Sequence, residues 1–302
     1  MLLFKQANII ALRRLMEQPR ILKVKGCPNK RYFGQTDIMK INIRMGKHPL
    51  FTMRKIKIVT TFFMMVFALA PVFSCHSNED ELVVFAAASL TDVLTEVKEK
   101  YELQNTTKIQ YNFGGSQSLA VELSKGSPGH VFISAGKPPM EFLYNEMGPK
   151  ISGVTSIATN SLVIVTKTQT VELPDHSALA DLDLIALADP NLAPAGVYSR
   201  EFLVSTGLWF SLADRFIFAA DVRAALNYVK SGNVDAAIVY VTDGLTEPEL
   251  LIWDIVPKDS YSPISYPAAA IGDGNKHRGA NTFMEFLESP EIADIFQSYG
   301  FR

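Results

Sequence analysis

Only two cysteines stand in the 302 residues, Cys27 and Cys75. The 227 residues after Cys75 therefore hold no disulfide and do no thiol chemistry. A body of that size buries a core without staples. Histidine is scarce as well, at five residues. His130, His176 and His277 are scattered, and none has a second His, Cys or carboxylate at ligand spacing. They read as surface or internally satisfied histidines rather than a metal site. No Gly-x-Ser-x-Gly elbow occurs and no Ser/His/Asp order persuades, which argues against nucleophilic catalysis. Gly114-Gly115-Ser116 lacks the lysine of a phosphate-binding loop. The pairs Asp181/Asp183 and Glu247/Glu249 are two apart, do not converge in a loop or helix, and read as solvated charges.

The first quarter of the chain is read apart from the fold. Met53-Arg54-Lys55-Ile56-Lys57 is basic, and residues 58–73 form an uncharged apolar run, short of the roughly 20 residues of a membrane span. The run ends in Val72-Phe73-Ser74-Cys75, and residues 76–80 turn abruptly polar. This is the pattern of an export signal over 53–75. Its last four residues resemble a lipobox, whose cysteine becomes the lipidated first residue. Phe73 is bulky for that box, which leaves cleavage without lipid open. Residues 1–52 carry no usable pattern and precede a plausible start at Met53. They read as an upstream-placed start, with a cytoplasmic extension ahead of an uncleaved anchor as the alternative.

Negative charge dominates once this leader is set aside. Residues 1–75 hold 14 of the 29 Lys+Arg and 2 of the 31 Asp+Glu, so the remainder has 15 basic and 29 acidic residues, a net charge of −14. Such a surface repels nucleic acid. Any anion it binds must be held by local dipoles.

What is present is an alternation of strand and helix patterns. Strands are expected at 82–87, 108–113 and 131–134. Helices are expected at 90–103, with Leu90, Val93, Leu94, Val97 and Tyr101 at helical spacing, at 117–125, and from Pro138 to Met147. A second set has strands at 161–166, 184–188, 215–218, 235–240 and 265–271, with helices at 196–206 and 221–230. The last 25 or so residues read as helical, with Pro290 at a first helical position. This order implies an α/β fold of two lobes, each a mostly parallel sheet flanked by helices, joined by crossing strands without a linker. Ligands in such sheets sit outside the carboxyl ends of strands, and a cleft between lobes is the default site.

Three strand ends carry small or hydroxyl residues: Ala88-Ser89, Gly115-Ser116 and Ser134-Ala135. A strand running through Ala and Ser into a helix start presents free N–H groups and the positive end of the helix dipole. Ser89 is the expected N-cap, with Asp92 as a capping-box-like partner. The plainer alternatives are that Ser89 only caps a helix, that Ser116 is a turn residue, and that Tyr240 is a core tyrosine at a strand end. Taken together, these residues describe one cavity of neutral donors free of Lys and Arg, fitted to a doubly charged tetrahedral anion. Charge-assisted hydrogen bonds contribute roughly 1.5–3 kcal/mol each. About four to seven of them, less the entropy of binding, support about micromolar to nanomolar affinity.

The fragments Val84-Phe85-Ala86-Ala87-Ala88-Ser89-Leu90-Thr91, Phe113-Gly114-Gly115-Ser116-Gln117-Ser118-Leu119-Ala120 and Val131-Phe132-Ile133-Ser134-Ala135 come in order. So do Asn160-Ser161-Leu162-Val163, Asp189-Pro190, Pro194-Ala195-Gly196-Val197-Tyr198, Asp221-Val222-Arg223, Ile238-Val239-Tyr240 and the terminal Ile295–Phe301. Each is weak alone, but their order and spacing over 82–302 resemble the substrate-binding proteins of bacterial molybdate ABC transporters. The resemblance implies a two-lobed type II periplasmic-binding-protein fold that closes on an oxyanion. It divides the chain into a first lobe at 76–159 plus 267–302 and a second at 160–266. It assigns anion contacts to Ser89, Ser116, the backbone N–H groups of Ala135 and Val222, and Tyr240, with no direct metal ligand and no cofactor. Two departures stand out. The second turn is Gly-rich where relatives are often Ser-rich. His130 replaces a usual Asp before the third strand, at a position expected to be structural.

The expectation is therefore an exported, monomeric binding protein, lipid-anchored at Cys75 on the outer face of the membrane or in the periplasm. It would deliver molybdate, and tungstate, to a permease and its ATPase. The alternatives are a protein for another oxyanion such as sulfate or phosphate, and an exported enzyme or interaction protein on the same fold. The lack of a convergent acid/base pair argues against the enzyme.

Overall fold

The first strand, β1 (Glu81–Ala87), is apolar after its first residue and mostly buried. A strand of that kind suits the middle of a sheet covered on both faces. The computed structural model describes residues 81–167, 175–272 and 278–302. The expected export signal, Cys27, Cys75, residues 1–52 and His277 lie outside the described residues. His76–Arg302 is a compact unit of its own. β1 is flanked in parallel by β2 (Lys108–Gly114), from Glu81↔Lys108 to Ala87↔Gly114, and by β3 (Val131–Ile133). The helices that follow these strands are α1 (Thr91–Gln104), α2 (Ser116–Ser124) and α3 (Lys137–Met147). Helix α1 buries Val93, Leu94, Val97 and Tyr101, the stripe expected from their spacing.

After β4 (Ile151–Asn160) the chain crosses at once into β5 (Leu162–Thr166) of a second sheet. That sheet is completed by β6 (Ile185–Ala188), β7 (Phe216–Ala219), β8 (Ala236–Tyr240) and β9 (Leu251–Ile255). Its helices are α4 (Pro194–Ser205), the short α5 (Leu208–Ser211), α6 (Val222–Lys230) and the short α7 (Val241–Leu245). The chain returns through β10 (Ile264–Ile271) and ends in α8 (Arg278–Leu287) and α9 (Pro290–Ser298). The strand orders are β2-β1-β3-β10-β4 and β7-β6-β8-β5-β9. In each sheet one strand, β10 or β5, runs against the other four. The fold is α/β with two lobes, as the sequence pattern implies.

The C-terminal helices close the first lobe. Tyr101 meets Phe283 and Phe286 of α8 edge-on, each at 5.2 Å between ring centroids; such pairs contribute about 0.5–1.5 kcal/mol beyond their burial. The last residue is bonded to the first crossing strand: Thr159 N–H donates to Arg302 O at 2.6 Å, and Arg302 N–H donates to Thr159 O at 3.1 Å. His130 is held by the sheet, accepting from Val83 N–H through Nδ1 at 2.9 Å and donating its own N–H to Val83 O. This is a structural position.

Several expectations are corrected. Ser89 is not an N-cap: Ala88–Leu90 is a 3₁₀ turn, the N-cap of α1 is Leu90, and no side chain caps it. The turn moves the helix start past the serine, and Asp92 reaches across to Arg223 instead of capping. Glu247 and Glu249 do converge, on Lys230 Nζ at 2.7 and 3.9 Å. Strands β4 and β9 were not anticipated. Both are sheet edges. β4 is largely exposed and mostly polar, without the apolar run or clean alternation that marks a strand in sequence; β9 is a five-residue strand, apolar apart from Asp254 and half-buried through Ile252 and Trp253, which the sequence reading passes over.

One ion network spans the lobes. Arg223 of α6 lies 2.5 Å from Asp92 of α1 and 2.5 Å from Asp243 of α7. Asp243 is fully buried, and burial raises its pKa to about 6 against the opposing pull of Arg223. A carboxyl raised in this way binds its proton more tightly folded than unfolded. Stability is therefore fullest below its unfolded pKa of about 3.9 and falls as pH rises towards 6. Removing Arg223 leaves a buried charge unpaired, at a cost of about 3–5 kcal/mol. Arg223→Met should lose about that much at pH 7.5 and regain part of it by pH 5, where Asp243 is protonated; urea titrations at the two pH values measure it.

Candidate ligand-binding site

Six strand ends meet at one cavity. β1, β2 and β3 bring Ala87 to Ser89, Gly114 to Ser116, and Ala135. β6, β7 and β8 bring Ala193 to Ala195, Asp221 with Val222, and Tyr240. All lie outside the carboxyl ends of their strands, where ligands of open α/β sheets bind. The same positions are helix starts. Ser116, Pro194 and Val222 are the first residues of α2, α4 and α6, and α1 begins just past Ser89. First-turn N–H groups have no partner within their own helix, and each helix dipole is positive at this end. The cavity is a place for negative charge.

Among the described residues that line it there is no Lys or Arg. The one acid is Asp221, whose Oδ1 accepts from Ala224 N–H at 2.9 Å as the N-cap of α6. Its charge is thereby turned into the helix start. No group of three His, Cys, Asp or Glu suited to a metal ion occurs among the described residues.

All five residues expected from sequence line the cavity: Ser89, Ser116, Ala135, Val222 and Tyr240. Their hydrogen bonds are more specific than sequence could give. Ser116 Oγ accepts from Ala135 N–H at 3.0 Å. The Ala135 N–H expected to face an anion is engaged with the serine, and the serine keeps its own hydrogen to donate. Ser89 Oγ lies 3.0 Å from Tyr266 Oη of β10. Tyr240 Oη is buried and has no hydrogen-bond partner among the described residues. A buried hydroxyl left unpaired costs about 1–3 kcal/mol, and such an orphan at a cavity calls for an occupant. Burial also raises the Tyr240 pKa well above 10, so the phenol stays a neutral donor.

The cavity volume is about 10 Å³, on the order of the room one water needs. A sugar, amino acid or peptide has no room in this cavity; a second cavity of about 430 Å³ lies between Gln117, Lys137 and Glu141 of the first lobe and Tyr198, Glu201 and Ser262 of the second, and carries none of the residues expected from sequence. The lobes touch beside the smaller cavity. Ser118 N–H donates to Leu192 O at 3.3 Å, and Gln117 Nε2 donates to Pro190 O at 3.3 Å. Gly115 sits so close to the second lobe that a Cβ would lie 2.3 Å from Leu192 O and 2.9 Å from Ala220 O. Sequence reasoning assigned no role to Tyr266 or to Ala193–Ala195. Tyr266 carries no local signal because it acts from a distant strand. The second is a helix start whose only mark is Pro194.

The comparisons with known proteins agree with this geometry. The family model described as bacterial extracellular solute-binding protein matches residues 82–302. A Bacillus subtilis protein, YvgL, provisionally named an ABC transporter substrate-binding lipoprotein, is 34% identical over 250 residues, covering 80% of this chain and 96% of its own length. The molybdate-binding protein ModA of Escherichia coli is 28% identical over 232 residues, covering 74% of this chain and 90% of its own length. The periplasmic molybdate-binding protein of Azotobacter vinelandii shares the fold with a TM-score of 0.66 at 22% identity, over 73% of this chain and 98% of that one. With the family model spanning both lobes and the cavity between them, this chain belongs to the bacterial extracellular solute-binding proteins, which bind their solute and are not enzymes.

Proposed function

We propose that this protein binds molybdate, and tungstate with it, between its lobes and hands it to the permease and ATPase of an ABC transporter. The orphaned, fully buried Tyr240 hydroxyl at a cavity of uncharged donors carries the reading. The hydroxyls of Ser89, Ser116 and Tyr240 and the N–H of Val222 would donate to the anion, while Ala135 holds Ser116. The lobes, 76–159 plus 267–302 and 160–266, close as the anion bonds to both, because those bonds exist only in the closed state. Molybdate rather than sulfate is favoured by the relatives named for molybdate. The protein acts as an exported monomer, held to the membrane by lipid on Cys75.

Calorimetric titration with sodium molybdate, tungstate, sulfate and phosphate tests the ligand. Molybdate and tungstate should bind at micromolar or better and the other two at least about 100-fold more weakly, a gap of about 2.7 kcal/mol. Ser89→Ala and Ser116→Ala should each weaken molybdate binding by about 10-fold or more, one charge-assisted hydrogen bond, while staying folded by circular dichroism in the absence of anion, with a lowered melting temperature because each leaves a buried partner, Tyr266 Oη or Ala135 N–H, unpaired. Wild-type affinity in both variants places the site elsewhere.

Gly115 tests closure separately. The Cβ of Gly115→Ala meets second-lobe backbone, which cannot turn away as a side chain would. This variant should fold with normal stability, bind molybdate at least about 10-fold more weakly, and fail to contract on adding molybdate in small-angle scattering.

A further inference from the structure

Tyr266 and Asn160 lie behind the site, yet their hydrogens can be assigned. Ser161 N–H donates to Asn160 Oδ1 at 2.9 Å, which fixes which end of the amide is oxygen. Asn160 Nδ2 then has two hydrogens and two acceptors: Thr242 Oγ1 at 2.9 Å and Tyr266 Oη at 3.0 Å. Among the described residues, the only other hydrogen-bond partner of Tyr266 Oη is Ser89 Oγ, at 3.0 Å. Tyr266 is wholly buried. Were Ser89 the donor, the phenol would accept twice and its own hydrogen would be buried unpaired, a loss buried groups avoid. The phenol therefore donates to Ser89 Oγ, and the serine hydrogen is left for the cavity.

We infer that Asn160 and Tyr266 are positioning residues: a one-way relay, Asn160 Nδ2–H to Tyr266 Oη and Tyr266 O–H to Ser89 Oγ, compels Ser89 to act as a hydrogen-bond donor to the bound anion. The inference rests on the oxyanion reading above. Each link polarises the next, so the terminal hydroxyl is a stronger donor than an isolated serine. Asn160 is also where the chain passes from the first sheet to the second, and its other hydrogen goes to Thr242 of α7. The crossing point is thus bonded to β10, a strand of the first sheet, and to α7, which follows a strand of the second, and its β10 arm leads to Ser89.

A double-mutant cycle tests the relay, with sodium molybdate titrated into wild type, Tyr266→Phe, Ser89→Ala and the double variant. The phenylalanine keeps the ring and loses the donor. Tyr266→Phe should weaken binding by about 10-fold, a coupling of about 1.4 kcal/mol. In the Ser89→Ala background the same change should cost less than about 2-fold, because there is no serine left to orient. An equal loss in both backgrounds overturns the relay and makes Tyr266 a packing residue. Asn160→Asp through the same cycle covers a Tyr266 variant that fails to fold. Its carboxylate repels the anion in either background, and only the relay share should vanish without Ser89. Wild-type protein that binds no oxyanion overturns the functional reading, and the relay with it; wild-type binding with an additive cycle overturns the relay alone.

Discussion

The structure depends on one constraint: helices from both lobes start at the same point. Four helices of nine residues or more, α1, α2, α4 and α6, begin there, each just after a strand end. Their dipoles, and those first-turn N–H groups not already given to Leu192 O or Asp221 Oδ1, make the meeting point electropositive with no Lys or Arg among the described residues that line it. The body of the protein carries a net charge of −14, so at long range the surface repels anions. Surface charges more than a Debye length, about 8–10 Å, from the cavity are largely screened, and fixed dipoles at contact distance outweigh what remains. A lysine in the cavity would bind anions more strongly but with less regard to shape, since an ammonium is a point charge on a flexible stem.

The same convergence explains why backbones crowd at the closed cleft. Dipoles act over the first turn only, so helix starts that are to act together on one point must approach it closely. That approach is what forbids a Cβ at Gly115 and brings Gln117 and Ser118 into bonding distance of the second lobe. Arg223 adds a charged tie between the lobes. Its pair with Asp92 is part-exposed, and exposed pairs contribute at most about 1 kcal/mol. Its pair with Asp243 is buried and chiefly fixes the position of Arg223, next to Val222 at the cavity. A clamp closed by contacts this weak can reopen when its ion leaves.

The strands and helices that build the cavity were legible because they are buried. β3 and β8 are apolar throughout, β1 is apolar after Glu81, and α1 carries its stripe at regular spacing. The edge strand β4 was not, because its pairing partner lies on one side only and most of its side chains face solvent; β9 is apolar apart from Asp254 but only five residues long and half-buried, too short to mark itself. The five site residues could be named from small residues at strand ends together with family resemblance, and the fold brings them to one cavity. What sequence could not give is who donates to whom. Ser89 looks like a capping serine from its neighbours, yet its partner is Tyr266, 177 residues away. Ala135 looks like a free backbone donor, yet Ser116 takes its hydrogen.

That polarity bears on which tetrahedral ions the site favours. Ser89 and Ser116 each already accept one hydrogen bond, and Tyr240 and the N–H of Val222 offer hydrogens. Asp221 directs Oδ1 to the helix start. The cavity is thus rich in donors and poor in acceptors. An oxyanion that is fully deprotonated at neutral pH accepts from all of them. Hydrogen phosphate brings an O–H of its own, and a donor facing donors is left unpaired at about 1–3 kcal/mol. On the proposed oxyanion reading, protonation state would separate phosphate from molybdate, tungstate and sulfate, and size would separate the last three. Size in turn is set by how far the lobes close, which returns the selectivity to Gly115 and the backbone it meets.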